Sequence, residues 1–370
     1  MRILKKPKRI FIAATRQNDG KTTLSLGLIA AFKKRYDNVG FIKPVGQRYV
    51  VEDGLKVDED SLLIEILCGL KGRLKDMSPI AVERGFTEKY IMRARHIVLI
   101  HKIKKAFANI AKSKDIVIIE GTGHAGVGSC FDMSNAYVAK LLGSKVVLIS
   151  SGGIGRPIDE ILLNAALFEK HGVKIAGVII NKVLREKYHK VNELVRKGLK
   201  RKGIDVLGVM PYQKFLSSPT VGEISDELGI TFMHGRENAH NVVNKILVGA
   251  MEPHEAWNYI EDGSLIITPG DREDMILMAM SSYLLQSKTA YSKIAGIVLT
   301  GGITPHHSIR NLIARSGIPV LMSKNDTYKV TSEIHDLTVK IKPDDTDKAK
   351  MAIKLVEDYI DIDFLIKKIL

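Results

Sequence analysis

Over the first 215 or so residues, short apolar runs alternate with longer stretches whose apolar residues recur at three and four. The first kind of run reads as strand and the second as helix. KRIFIAA (8–14) predicts a strand, and KTTLSLGLIAAFKKR (21–35) the helix after it. VGFIKPV (39–45) predicts a second short strand, and DSLLIEILCGL (60–70) a helix. YIMRARHIVLIHKIKKAFANIAK (90–112) reads as one long helix. DIVIIEG (115–121) is apolar on both faces until a glutamate and a glycine end it, as in a strand covered on both sides. KVVLISS (145–151) and IAGVIINK (175–182) repeat that signature, and DVLGVMP (205–211) closes on proline. Strands alternating with helices predict a mostly parallel sheet with helices on both faces.

The pattern changes at FLSSPTVGEISDELG (215–229), which places a boundary near residue 217. A smaller α/β unit follows, from NVVNKILVGAM and EPHEAWNYI through SLIITPG, DREDMILMAMSSYLL, AGIVLTGG, HHSIRNLIARSG and IPVLMSK to DTYKVTSEIHD. DKAKMAIKLVEDYIDIDFLIKKIL (347–370) predicts one or two terminal helices that pack back. The expected division is 1–217, 218–340 and 341–370.

Composition narrows the classes. Of 370 residues, 45% are hydrophobic and 26% charged, as in ordinary soluble proteins, and the length favours two domains. The two cysteines, Cys68 and Cys130, stand in no metal-ligand spacing, which suits a reducing cytoplasm. MRILKKPKRIFIAA is too briefly apolar for a signal peptide, and no membrane segment is expected. The net charge of +15 is spread along the chain, and KYHKVNELVRKGLKRKG (187–203) reads as a solvated helix face. No base-reading motif accompanies it, so a nucleic-acid partner is not expected.

The chemistry starts at ATRQNDGKTTLSLGL (14–28). Gly20, Lys21 and Thr22 supply the second half of a G-x-x-x-x-G-K-[ST] phosphate loop, while Thr15 stands where its first glycine belongs. Strand, loop and helix follow in the order such a loop needs, since backbone amides at a helix N-terminus cradle the anion. The alternative is a polar-capped helix that carries G-K-T by accident, with Asn18 and Asp19 as caps. Glu120 ends a buried strand, where an uncompensated carboxylate is costly.

These residues and five further landmarks resemble the dethiobiotin synthetase branch of P-loop proteins, which the cobyrinic acid synthases share. That branch also has a threonine where Thr15 stands. The further landmarks are Phe41-Ile42-Lys43-Pro44-Val45, Asp60 before a helix, Glu120-Gly121-Thr122-Gly123, Asn181 in GVIINKV, and Gly208-Val209-Met210-Pro211. EGTGHAGVGSCFDMSNAYVAKLLG and SSGGIGRPIDEILLN resemble the subgroup fused in front of phosphotransacetylase. The second half resembles its companion, the DRTGG domain, through Asp271-Arg272 and Thr300-Gly301-Gly302.

The resemblance implies ATP and Mg²⁺ as cofactors. Thr15, Asp19, Gly20, Lys21, Thr22, Thr23 and Asn181 would bind ATP, with Asn181 on the adenine edge. Thr22, Asp60 and Glu120 would hold the metal, Asp58 being the alternative to Asp60. Lys21 and Lys43 would act in catalysis, Lys43 holding a second substrate beside the γ-phosphate. Gly46-Gln47-Arg48 and Arg16-Gln17 depart from the dethiobiotin synthetase pocket, so that substrate is not carried over. Asp271, Arg272, Thr300, Gly301 and Gly302 are candidates for a ligand site in the second domain, or else an internal Asp–Arg pair fixes the turn. His124, His306 and His307 are read as non-metal.

Two functions remain open. One is ATP-dependent phosphoryl transfer to a small acid or to water. The other is nucleotide sensing for a regulatory protein partner in acetyl-phosphate metabolism. A phosphotransacetylase domain would need about 300 further residues and is not expected here. A partition-type ATPase is disfavoured, because Arg16 is the nearest cation to that family's second loop lysine. The family implies a homodimer.

Overall fold

The structure is a computed structural model that describes residues 6–70, 72–285 and 294–369. The first five residues of the MRILKKPKRIFIAA reading lie outside that range. The chain forms two compact units, Met1–Gln213 with Ile341–Leu370, and Lys214–Lys340.

Among the described residues, ten strands belong to the first unit: β1 (Lys8–Ala14), β2 (Val39–Ile42), β3 (Val45–Gly46), β4 (Tyr49–Glu52), β5 (Leu55–Asp58), β6 (Ile80–Ala81), β7 (Ile116–Glu120), β8 (Lys145–Ser151), β9 (Ile175–Val183) and β10 (Val206–Pro211). Six of them make a sheet in the order β10-β9-β8-β1-β7-β2. All its pairings are parallel, with Ile10 opposite both Ile118 and Lys145. Every residue of β7 is buried, which requires cover on both faces of the sheet. The helix His96–Ala111 buries Leu99, Ile103, Phe107 and Ile110, and the helix Gly155–Lys170 buries Ile161, Ala165 and Phe168. These spacings are the three-and-four repeat of the sequence.

From β1 the chain moves to β2 at one edge of the sheet. From β7 it crosses β1 to β8 and then runs to the other edge. The carboxyl ends of β1, β7 and β8 therefore border the reversal, where open α/β sheets form their ligand crevice.

Two elements depart from expectation. The single long helix is two, Phe86–Met92 and His96–Ala111, with Arg93 and Arg95 off helical geometry between them. The halves have different partners. Tyr90 donates to Asp132 Oδ2 at 2.8 Å and meets the Phe131 ring edge-on, while the second helix lies along the sheet. Between β3 and the helix Glu59–Cys68, the sequence reading has no counterpart to the antiparallel hairpin β4–β5.

In the second unit, β11 (Thr231–His234), β12 (Lys245–Val248), β13 (Ser264–Pro269), β14 (Ile294–Thr300) and β15 (Val320–Met322) form a sheet in the order β11-β15-β14-β13-β12. β11 pairs antiparallel and the rest are parallel. Leu265, Ile267, Val298 and Leu321 fill one side of its core, and Ile266, Ile297, Leu299 and Val320 the other.

The C-terminal helices Thr346–Tyr359 and Ile362–Ile369 belong to the first unit. Gly27, on the helix Lys21–Lys33, is the reason one of them sits so close: a Cβ there would lie 2.3 Å from Val356. Ile360 then bridges to Gly208 of β10. Among the described residues, no helix is long and apolar enough to cross a membrane.

Candidate functional site

The loop between β1 and the helix Lys21–Lys33 is built from inside. Thr15 is buried at the end of β1; its backbone N–H donates to Ile149 O at 2.8 Å. Its hydroxyl donates to Asp19 Oδ2 at 2.9 Å and lies 2.9 Å from Ser150 Oγ. Asp19 is buried as well, accepting from the Arg16 N–H at 2.8 Å and from Ser151 Oγ at 2.5 Å. Two side chains thus fix the turn where a leading glycine would stand. The side chains of Thr15 and Asp19 shape the loop from beneath.

Gly20 has φ +105, a left-handed conformation that glycine adopts without penalty. A Cβ at this position would lie 2.3 Å from Asn181 Nδ2. Asn181 Nδ2 donates to Asp19 O at 2.9 Å, and its Oδ1 accepts from the Lys182 N–H at 2.8 Å. The Asn181 amide expected on an adenine edge is therefore bound to the loop. Lys182, missed by the sequence reading, donates from Nζ to Asn18 O at 2.7 Å, so β9 grips the loop at two carbonyls. Adjacency to Asn181 is the signal that could have found it.

Lys21 opens the helix, followed by Thr22 and Thr23, all three half-buried. Burial lowers the Lys21 pKa, opposed by the Glu120 and Asp60 charges and reinforced by Lys43. The Thr22 hydroxyl donates to Asp60 Oδ1 at 3.1 Å.

Beside the loop lies a buried charge cluster. Lys43, just past β2, contacts Asp60 Oδ2, stands 2.9 Å from Asp58 Oδ1 and is 3.6 Å from Glu120 Oε1. Burial pulls its pKa down, but Asp60, Asp58 and Glu120 together raise it well above the usual value. Asp58 caps the helix Glu59–Cys68, its Oδ1 accepting from the Asp60 N–H at 3.0 Å. Its carboxyl is pushed up by burial, with Lys43 opposing. Glu120 is fully buried at the end of β7, and burial pushes it up to about 7, with Lys43 pulling it back. Glu120 Oε2 accepts from Ser25 Oγ at 2.5 Å, whereas Oε1 has no hydrogen-bond partner.

The structure thus brings Lys21, Thr22, Lys43, Asp58, Asp60 and Glu120 together. Ser25 was missed, although it lies one helical turn past Thr22 and so faces the same strand end. Asn135 was missed too: it holds the glycine turn after Glu120, accepting from the Thr122 N–H at 3.1 Å and donating to the Thr122 and His124 carbonyls at 2.7 and 2.6 Å. Gln47 and Arg48 are exposed.

Oxygen donors of this kind suit Mg²⁺, which takes one or two carboxylates and completes its shell with water and phosphate. Among the described residues, no three His, Cys, Asp or Glu side chains make a metal cage by themselves. Thr22, Asp60 and Glu120 Oε1, which has no hydrogen bond, fit an ion whose remaining ligands come from a nucleotide.

In the second unit the candidates take structural positions. Arg272 donates to Gly249 O at 3.2 Å and Met251 O at 3.0 Å, and pairs with both Asp274 oxygens at 2.9 Å. The expected partner Asp271 is replaced by Asp274, because the guanidinium turns along its own helix start. The Gly301 and Gly302 N–H groups donate to Asn325 O and Ser323 O at 2.8 and 2.9 Å, and the Thr300 and Thr327 hydroxyls lie 2.7 Å apart. The Arg272 guanidinium and the Gly301 and Gly302 N–H groups are thus engaged within the unit.

Comparison with known proteins agrees with this division. A family described as AAA domain matches residues 8–220, and one described as DRTGG domain matches 223–337. A phosphate acetyltransferase of Nitratidesulfovibrio vulgaris is 28% identical over 95% of this chain and 50% of its own length. One from Pseudomonas putida is 26% identical over 96% and 51%. The chain spans about half the length of these curated relatives. Among solved structures, the septum site-determining protein MinD of Pyrococcus horikoshii, complexed with Mg-ADP, is 17% identical, with a TM-score of 0.36 over 57% of this chain and 83% of that one. The CBS and DRTGG domains of Clostridium perfringens pyrophosphatase are 16% identical, with a TM-score of 0.28 over 45% and 83%. With a P-loop at the sheet crevice and a profile match over more than half its length, the chain belongs to this AAA domain family, with a DRTGG domain joined to it.

Proposed function

We propose that the first unit binds Mg-ATP and transfers its γ-phosphoryl group to a small carboxylate or carbamate, or to water. The observation that carries this reading is a lysine enclosed by three carboxylates immediately beside a P-loop. The loop amides around Gly20 hold the phosphates, and Lys21 offsets charge that develops on them. Thr22, Asp60 and Glu120 would hold Mg²⁺, which would supply charge neutralisation to the phosphates.

An acceptor oxygen attacks the γ-phosphorus as the bond to the β–γ bridging oxygen breaks, and ADP leaves with that electron pair. A carboxylate becomes an acyl phosphate; water gives phosphate and a proton. Lys43 fixes the anionic end of the acceptor. Exposed Gln47 and Arg48 stand where dethiobiotin synthetases place a small turn, so another acid is the acceptor.

Calorimetry of the full chain with ATP and magnesium, with turnover measured across small acids, tests the proposal. Lys21→Ala is expected to lose ATP binding by at least about a hundredfold, since a phosphate-binding cation is removed. Unchanged binding in that variant would discard the site.

A second reading is favoured by the relatives, phosphate acetyltransferases of which one aligns over 95% of this chain at 28% identity. In it the site senses adenylate and informs a partner in acetyl-phosphate metabolism, with a homodimer as the assembly. Tight Mg-ATP binding with no turnover on any acid is the result that would select it.

A further inference from the structure

Lys43 and a divalent cation would compete for the same oxygens. The Lys43 ammonium contacts Asp60 Oδ2 and lies 3.6 Å from Glu120 Oε1, the two carboxylates that the proposed function gives to the metal. The Lys43 side chain is 6% exposed, so water does not screen it from those groups. A second cation on Asp60 and Glu120 would stand in close like-charge contact with it in a buried site.

Asp58 differs from the other two. Its Oδ1 caps the helix Glu59–Cys68, its own N–H donates to Ser78 Oγ at 2.9 Å, and Gly46 leaves no room beside it, since a Cβ there would lie 2.4 Å from Asp58 Oδ2. Asp58 is therefore a fixed anchor, 2.9 Å from the Lys43 ammonium.

Resting on the nucleotide reading above, we infer that Lys43 is the resident cation of the metal pocket. In the metal-free protein it neutralises Asp58, Asp60 and Glu120. When nucleotide arrives with its divalent ion, Lys43 gives up Asp60 and Glu120 and pivots on Asp58. Its ammonium is then available to the anionic acceptor. Binding is thereby ordered: metal alone is excluded, nucleotide and metal enter together, and the acceptor follows. On this inference Asp60 serves the metal and Asp58 serves Lys43.

Titration of Mn²⁺ into the nucleotide-free full chain, followed by calorimetry and by the electron-spin resonance of free Mn²⁺, tests this. The native protein should bind Mn²⁺ weakly alone and well with ATP. K43M should bind Mn²⁺ alone at least tenfold more tightly, and its melting temperature should rise with Mn²⁺ alone while that of the native protein does not. If three uncompensated carboxylates prevent K43M from folding, K43M/D58N answers the same question, because Thr22, Asp60 and Glu120 remain. Mn²⁺ affinity no higher than native in these variants, with ATP-dependent Mn²⁺ binding intact in the native protein, overturns the inference alone. Absence of Mn²⁺ binding by the native protein even with ATP overturns the nucleotide reading and this inference together.

Discussion

Both units present glycine turns at the carboxyl ends of parallel strands, yet they use them in opposite ways. In the first, the turn after β1 and the end of β7 leave cations and a carboxylate oxygen without a hydrogen bond, Glu120 Oε1, around one crevice. In the second, the turns after β13 and β14 close on themselves, with Arg272 on two carbonyls and Gly301 and Gly302 on Asn325 and Ser323. One polar atom there resembles the first unit: Thr268 Oγ1 is buried without a partner, against the backbone at Gly249. A glycine at a strand end permits close approach; what approaches is decided by which donors remain unbonded.

That contrast can be broken most sharply at Gly20. Gly20→Ala meets both the left-handed φ and the Asn181 side chain, and should reduce ATP affinity by more than about tenfold, a cost of about 1–3 kcal/mol. Pairing it with Asn181→Ala should recover only the steric part, as a double-mutant cycle read by calorimetry would reveal. Equal ATP affinity in Gly20→Ala and native protein would mean the loop does not grip phosphate.

Arg272→Ala tests the other side. Losing its bonds to Gly249 O and Met251 O should cost about 1–2 kcal/mol of stability in denaturant unfolding, moderated because the side chain is partly exposed. ATP affinity should stay unchanged; a drop there would show that the second unit's turn is more than a structural closure.

Ser25→Ala probes support for Glu120 and should lower metal-dependent turnover about tenfold or more, with ATP binding retained. The smallest effect is in pH. Burial raises Glu120 from 4.5 to about 7, so its neutral form is favoured in the folded protein. Metal-free stability from this group is full below 4.5 and falls as pH rises through about 7. Glu120→Gln should flatten that slope in melting experiments, and an unchanged slope would assign it elsewhere.

Much of this was legible beforehand for identifiable reasons. Apolar runs such as IVII and GVII declare a sheet covered on both sides, and Gly20-Lys21-Thr22 together with the five further landmarks points to the loop. The hairpin β4–β5 was hidden by its charged residues, although Asp53-Gly54, with φ +47 and +75, carries the turn signal between YVVE and LKVD. The break at Arg93–Arg95 escaped because apolar spacing continues through it while the packing partner changes. At the site, residue types suggested ligands, but the assignments of Thr15, Asp19 and Asn181 depended on which way each side chain turned. Spacing along a chain does not carry that information.

The return of the last helices onto the loop helix has a practical reach. Val356 lies so near Gly27 that no larger residue fits between them. A protein cut after Lys340 would leave the helix Lys21–Lys33 with a bare apolar flank, and it would fail in solubility before any assay of nucleotide could be read. The helix Thr346–Tyr359 is thus the back wall of the loop helix, and it is laid down only after the second unit has been synthesised.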